Sequence, residues 1–240
     1  VHLDFHTSER MPDVGAWFDE KQFQKALKLG SVNSITIFAK GHHSWSYYPT
    51  RAGMVHPTLE TDLLGRQIKA CHEIGVRCPI YITVGWSAND AEMHPEWCAR
   101  RPDGTIAVIN YDLEAGPETP KPIVSWKFLC PSGGYRELIL AQTREICAAY
   151  EVDGLFYDLC FNPSACYCDT CRSLFRERHG LEAPPFVLHE GTGTVADDDA
   201  LLLWEQFQRD AYDRYMRVQS EAVRSVSDDL LMITIPSDSY

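Results

Sequence analysis

Two sets of side chains have the types and spacing to do chemistry. The first is a series of polar and aromatic residues that each follow an apolar run: His6, the cluster Lys40, His42 and His43, then Trp86, Asp158 and Asp238. Carboxylates flanked by imidazoles and aromatic faces suit cleavage of a glycosidic bond. One carboxylate attacks the anomeric carbon, and a second carboxyl group, about 5 Å away in a retaining enzyme, protonates the leaving oxygen. Aromatic faces stack on the apolar face of a sugar, while His and Lys read its hydroxyls. Asp158 is the expected nucleophile. Asp238 is placed by position to be its partner, as is a carboxyl group beyond the given chain.

The second set is Cys166, Cys168 and Cys171, spaced C-x-C-x-x-C in a Pro- and Ser-containing loop. Three soft ligands in one short loop suit tetrahedral zinc, which needs a fourth. Cys130 is the expected fourth ligand, with Cys98 and Cys160 as runners-up. A closed four-thiolate site has no open position, so its zinc would be structural, stapling the loop. Free thiols are the plainer alternative. Cys71, Cys78 and Cys147 lie on apolar segments and read as small core residues.

The elements that must position these groups follow from periodicity. Short apolar or β-branched runs at residues 1–6, 34–39, 79–84, 154–157 and 230–235 read as five strands. Helical spacing covers a segment capped by Asp19 and closed by Gly30, and also residues 59–74, 135–150 and 201–226. Residues 87–125 carry turn signals without strong periodicity, and a loop of that length reads as a lid or subsite wall. Repeated strand–helix units give a parallel sheet with right-handed crossovers. No Gly-rich phosphate loop follows any strand, and aromatics follow the second and third. A (β/α)8 TIM-type barrel is therefore expected, and not a doubly wound sheet. In a barrel the carboxyl ends of all strands share one mouth. A lone histidine is more often structural and an Asp after a strand is often a turn former, but the set together favours a shared site. A complete barrel has eight strands. Residues 1–240 are thus expected to be the N-terminal part of a barrel domain continuing beyond the given chain.

The chain has 240 residues, 45% hydrophobic and 23% charged, a composition typical of globular domains. Its formal net charge of -12 argues against nucleic acid or an anionic membrane as partner. A small-molecule or oligosaccharide substrate is expected, and homo-oligomerisation stays open. Nine cysteines, an odd number with a tight triplet, favour reduced thiols plus a metal and a cytoplasmic location.

The run FAKGHHSWSYYPT resembles the Lys-His-His segment of the α-L-fucosidase family. His6 is similar to that family's early strand-end histidine, and DGLFYD resembles its nucleophile strand. Here Gly41 intervenes between Lys40 and His42, and Cys160 stands where a Gly is usual. The resemblance implies sugar contact by Lys40, His42 and His43, and attack by Asp158. CPSGGYREL followed by CYCDTC resembles the zinc-binding region of cytosolic-type β-galactosidases, which implies Cys130, Cys166, Cys168 and Cys171 as ligands. That family carries Asn-Glu where this chain has Tyr157-Asp158, so its mechanism is not implied. The whole stretch from His2 to Tyr240 is similar to glycoside hydrolases grouped with fucosidase-like barrels. The expected function is a retaining α-L-fucosidase-like hydrolase. A β-galactosidase-like hydrolase and a non-catalytic, zinc-stabilised carbohydrate-binding barrel are the alternatives.

Overall fold

The computed structural model describes residues 1–109, 126–160, 165–184 and 198–234. Asp238 lies outside the described residues. In chain order the elements are α1 (Glu20–Leu29), β1 (Ile37–Lys40), β2 (Trp45–Ser46), β3 (Met54–Val55), α2 (Leu63–His72), β4 (Ile80–Thr83), α3 (Ala88–Met93), β5 (Val108–Ile109), β6 (Trp126–Lys127), α4 (Gly134–Ala149), β7 (Gly154–Asp158), α5 (Asp169–His179), α6 (Asp198–Arg224) and β8 (Leu231–Thr234). None of the described helices is long and apolar enough to cross a membrane.

β1, β4, β7 and β8 pair in parallel in that spatial order. His2 adds a parallel bridge to Thr36, just before β1. Successive segments are therefore added on one side without reversal. That is the winding of a TIM-type barrel; a doubly wound sheet reverses at its centre. The expected first strand, residues 1–6, is present only as that bridge, with the Thr36 N–H donating to the Val1 carbonyl at 2.9 Å. β2 and β3 extend the sheet beside the carboxyl end of β1.

Alternation divides the strand residues between two buried faces, as a parallel sheet covered on both sides requires. Ile37, Ala39, Ile80, Ile82, Leu155 and Tyr157 pack with α2 and α4 residues such as Leu64, Ile68, Tyr135 and Ile139 in the largest core cluster. Phe38, Tyr81 and Phe156 lie on the other face, in register. Their rings form one layer: Phe38 stacks on Tyr81 at 4.0 Å, and Tyr81 on Phe156 at 5.6 Å. Each such ring kept from water contributes about 1.5–3 kcal/mol.

β1 breaks the alternation. Phe38 opposes Tyr81, yet Lys40 opposes Ile82, so two residues of β1 face one of β4. This bulge turns Lys40 to the helix-facing side, with Ile82.

Helix boundaries follow capping more closely than periodicity. α1 starts where the Asp19 carboxylate accepts the Gln22 N–H at 2.6 Å. α2 starts at Leu63, later than the apolar pattern from Leu59, because the Asp62 carboxylate accepts the Gly65 N–H at 2.9 Å. α5 was not anticipated: its apolar stripe, Cys171, Leu174 and Phe175, begins inside the cysteine motif. Gly180, at φ 68°, ends it in the left-handed region. The stretch from residue 87 holds α3 and the first strand of the β5–β6 hairpin, elements too short to leave a period.

Candidate functional site

β7 delivers Asp158 to its carboxyl end, two residues beyond Phe156 and on the same face. Its partner across the ladder is Thr83, at the end of β4. Asp158 is buried, at 8% exposure, and its carboxylate is held at both oxygens. Oδ2 accepts from the Tyr81 hydroxyl, and Oδ1 accepts from the Leu159 N–H at 2.9 Å. Burial pushes its pKa above the usual carboxylate value, and the Tyr81 and Leu159 hydrogen bonds oppose that shift.

The chain turns sharply after the carboxylate. Leu159 sits at φ 61°, a left-handed conformation that a bulky residue rarely adopts. A Cβ on Gly85 would come within 2.1 Å of the Leu159 carbonyl oxygen, so only glycine lets β4 end against this turn. Ser44, directly after the paired histidines, is also left-handed at φ 81°. Its hydroxyl accepts the Asp90 N–H at 2.9 Å, which fastens the histidine loop to α3. Such strain persists where surrounding structure over-determines it, and here it flanks the site on two sides.

His42 is the imidazole nearest the carboxylate, with Nε2 3.9 Å from Asp158 Oδ2. The Thr83 hydroxyl donates to the Trp86 carbonyl at 3.0 Å, so it accepts from His42 Nδ1–H at 2.9 Å. That fixes the tautomer: the lone pair of Nε2 points toward Asp158. Burial, with His6 and His43 nearby, pushes the His42 pKa down to about 2. The separation would allow an ion pair, but desolvation keeps the ring neutral, so Nε2 offers a lone pair to a hydroxyl between the two groups.

His6 stacks on His42 at 3.8 Å and 12°, and its Nδ1 accepts the His42 backbone N–H at 3.1 Å. Burial lowers its pKa to about 4. His43 is shifted down too, again chiefly by burial, and its Nδ1 is buried with no partner among the described residues. Trp126 presents its ring edge-on to both His42 and His43, at 5.2 and 5.1 Å, and stacks parallel to Trp86 at 5.9 Å. Trp86 lies edge-on to His42 at 5.2 Å.

The structure thus brings together His6, His42, His43, Trp86 and Asp158. It adds Tyr81, Thr83 and Trp126, which sequence reasoning missed. Trp126 precedes the apolar stretch to Cys130 and was legible as an aromatic at an element's edge. Tyr81 and Thr83 were not, since mid-strand residues give no sign of which polar group they will face. Lys40 is not part of the constellation. The β1 bulge directs it under the sheet, where its ammonium is 2.7 Å from Asp90 Oδ2 and 4.9 Å from the Tyr135 ring. At 1% exposure it cannot reach a sugar in the mouth. Asp90 also accepts from the Ser87 hydroxyl.

The four cysteines converge as expected. Sγ atoms of Cys130, Cys166, Cys168 and Cys171 all lie within 4.8 Å of one another, and each residue is buried. Cys130 Sγ is 3.5 Å from Cys171 Sγ and 3.6 Å from Cys168 Sγ. A disulfide requires about 2.05 Å. Four sulfurs around zinc at about 2.3 Å would be about 3.8 Å apart, so the observed spacing fits a closed tetrahedral site. Thiol hydrogen bonds, with Cys130 first, pull the Cys168 pKa down, favouring the thiolate a cation takes up. Cys98 and Cys160 stand apart, their thiols donating to the carbonyls of Ala91 and Tyr157 at 3.7 and 3.3 Å. The cysteine cluster shares its packing with Trp86, Leu159, Phe175 and Trp204, so it backs one wall of the mouth.

Comparison with protein families matches residues 19–159 to the family described as Hypothetical glycosyl hydrolase 6. Among solved structures, the chain is similar to alpha-L-fucosidase isoenzyme 2 from Paenibacillus thiaminolyticus, with 34% identity and a TM-score of 0.78 over 98% of this chain and 32% of that one. A beta-galactosidase from Rahnella sp. R3 aligns at 18% identity and a TM-score of 0.63, over 98% of this chain and 35% of that one. A beta-galactosidase from the psychrophilic Marinomonas ef1 aligns at 12% and 0.61, over 91% and 35%. At those identities the two galactosidases share the fold. The chain spans about a third of the length of these structures. No curated protein matches the sequence.

Proposed function

Because the chain belongs to the hypothetical glycosyl hydrolase 6 family, we propose that the protein is a retaining glycoside hydrolase of the α-L-fucosidase type. Residues 1–240 are then the N-terminal part of its (β/α)8 barrel. The observation that carries this reading is the buried Asp158 carboxylate, held by Tyr81 and Leu159 and facing the neutral Nε2 of His42. Likeness to a fucosidase at 34% identity over nearly the whole chain supports the sugar class.

In this mechanism an Asp158 oxygen forms a bond to the anomeric carbon as the bond to the leaving oxygen breaks. A second carboxyl group gives its proton to that oxygen, and Asp238 is our candidate. The same group then takes a proton from water, whose oxygen displaces Asp158 and releases the sugar. Tyr81 and Leu159 aim the nucleophile and spread its charge. His42 accepts from a sugar hydroxyl, His6 and His43 line the same wall, and the Trp86–Trp126 pair offers an apolar surface. The four cysteines hold a structural zinc ion that keeps this wall in place. Reduced thiols throughout the described cysteines fit a cytoplasmic protein with a saccharide substrate.

A panel of nitrophenyl glycosides tests the reading on the whole protein. We expect α-L-fucoside turnover, a fall on the order of 10⁴-fold or more in Asp158→Ala, and partial recovery with azide. Turnover of β-galactosides alone would move the assignment to that sugar. Sugar binding without any turnover would leave a carbohydrate-binding scaffold.

A further inference from the structure

At the opposite end of the sheet from Asp158, three potential metal ligands meet. Residues 78 and 153 lie two positions before Ile80 and Leu155, which pair across β4 and β7, so the two sit level at the amino ends of adjacent strands. Both fall on the helix-facing side by alternation. α2 runs back toward this end and finishes at His72. Sequence separation hides the meeting; the parallel register creates it.

The donor atoms are close. His72 Nε2 is 2.8 Å from Asp153 Oδ2, and Cys78 Sγ is 3.5 Å from each. The Cys78 backbone N–H also donates to Asp153 Oδ2 at 2.7 Å and so orients the carboxylate from the main chain. Cys78 is buried, whereas the His72 and Asp153 side chains are 27% and 28% exposed, so one side of the trio opens to solvent.

We propose that His72, Cys78 and Asp153 form a second metal site, for a thiophilic divalent cation such as Zn²⁺, with its fourth position open. Around tetrahedral zinc, with bonds of about 2.0–2.3 Å, sulfur would lie about 3.6 Å from the nitrogen and the oxygen, and those two about 3.4 Å from each other. Both sulfur edges are already in place, and only the nitrogen–oxygen edge must widen, by about 0.6 Å. Binding displaces the Cys78 thiol proton to water, while His72 offers its Nε2 lone pair as the neutral tautomer that carries its hydrogen on Nδ1. Mixed N, O and S donors favour zinc over magnesium or calcium. The bound ion would tie the end of α2 to β4 and β7.

Zinc titration of the reduced, metal-stripped whole protein tests this site, with His72→Ala and Cys78→Ser beside wild type. Each variant should take up about one zinc fewer per chain. Where residual binding is measurable, its Kd should rise beyond the roughly 10- to 100-fold that losing an outer-shell partner costs. His72 is partly exposed, so His72→Ala keeps the fold, which circular dichroism checks. In wild type, zinc should also slow alkylation of Cys78, and in His72→Ala it should not. Equal zinc counts in all three proteins, or equal protection of Cys78 with and without His72, would overturn the proposal. Cys168→Ser serves as the contrast: it removes the equivalent held by the four-cysteine cluster and leaves this one.

Discussion

The mouth around Asp158 and the four-cysteine cluster share the packing around Trp86 and Leu159, yet they are built in opposite ways. The mouth draws His6, His42, Thr83, Trp126 and Asp158 from separate segments, of which Thr83 and Asp158 are aligned by parallel register. Its titratable groups are driven toward their neutral forms by burial. The cluster takes three of its four cysteines from one short loop and the first turn of α5, with Cys130 the distant member. Its sulfurs would lose protons on taking up a cation. One site is thus held by hydrogen bonds to neutral groups. The other offers four convergent sulfurs that could hold a metal ion.

The largest test of this contrast is to take the metal away. Chelation, or Cys168→Ser, should cost several kcal/mol of stability and up to about 10, since the binding energy of a structural zinc is folding energy. Melting temperature should fall far more than the rate per folded molecule. An unchanged melting temperature would mean that the cluster holds no structural ion.

Next comes Lys40, the residue that the bulge separates from the mouth. Lys40→Met leaves Asp90 charged and buried, which should cost about 3–5 kcal/mol. Adding Asp90→Asn should recover much of this, and KM should hold in both variants. A raised KM with unchanged stability would put the ammonium back at the substrate.

Thr83→Val probes the hydrogen bonding of the mouth more gently. It leaves His42 Nδ1–H unpartnered, at about 1–3 kcal/mol. The freed ring should lower kcat/KM by roughly 10-fold. Thr83→Ser should restore both, and failure to do so would remove the hydroxyl from the account.

The smallest effects are in pH. His6 and His42 titrate in the fold at about 4 and about 2, against roughly 6.5 unfolded. Between pH 6.5 and 4 the unfolded chain binds protons that the folded one refuses, so stability falls as pH drops through that range. His42→Asn should flatten that slope. Asp158 runs the other way. Its raised pKa makes the fold hold a proton longer, so its ionisation costs stability as pH climbs past roughly 3.9. Asp158→Asn should therefore stabilise at neutral pH, with the gain vanishing below about pH 4. The acid limb of activity should lie above the ordinary carboxylate range. Denaturant melts at a series of pH values read out each slope.

The two sites were unequally legible. Cysteine spacing carries its own geometry, because a tight loop can bring three sulfurs together whatever surrounds it. Cys130 also followed from position, though Cys98 and Cys160 were excluded only when their thiols turned to nearby carbonyls. The position of Asp158 was readable because a short apolar strand delivers its last residue to the carboxyl end of a parallel sheet. Lys40 was grouped with His42 and His43 because it ends the same strand, and the β1 bulge that turns it toward Asp90 leaves no mark in composition.

The sequence by itself determined the four central strands β1, β4, β7 and β8 and the spacing of the clustered thiols, since both rest on short-range pattern and spacing. Tertiary structure alone decided that Tyr81 holds the carboxylate, that Trp126 closes the histidine wall, and that His72 meets Cys78 and Asp153. These are contacts between distant residues. Strand register and the packing of helices and loops on the sheet set them, and no single segment specifies either.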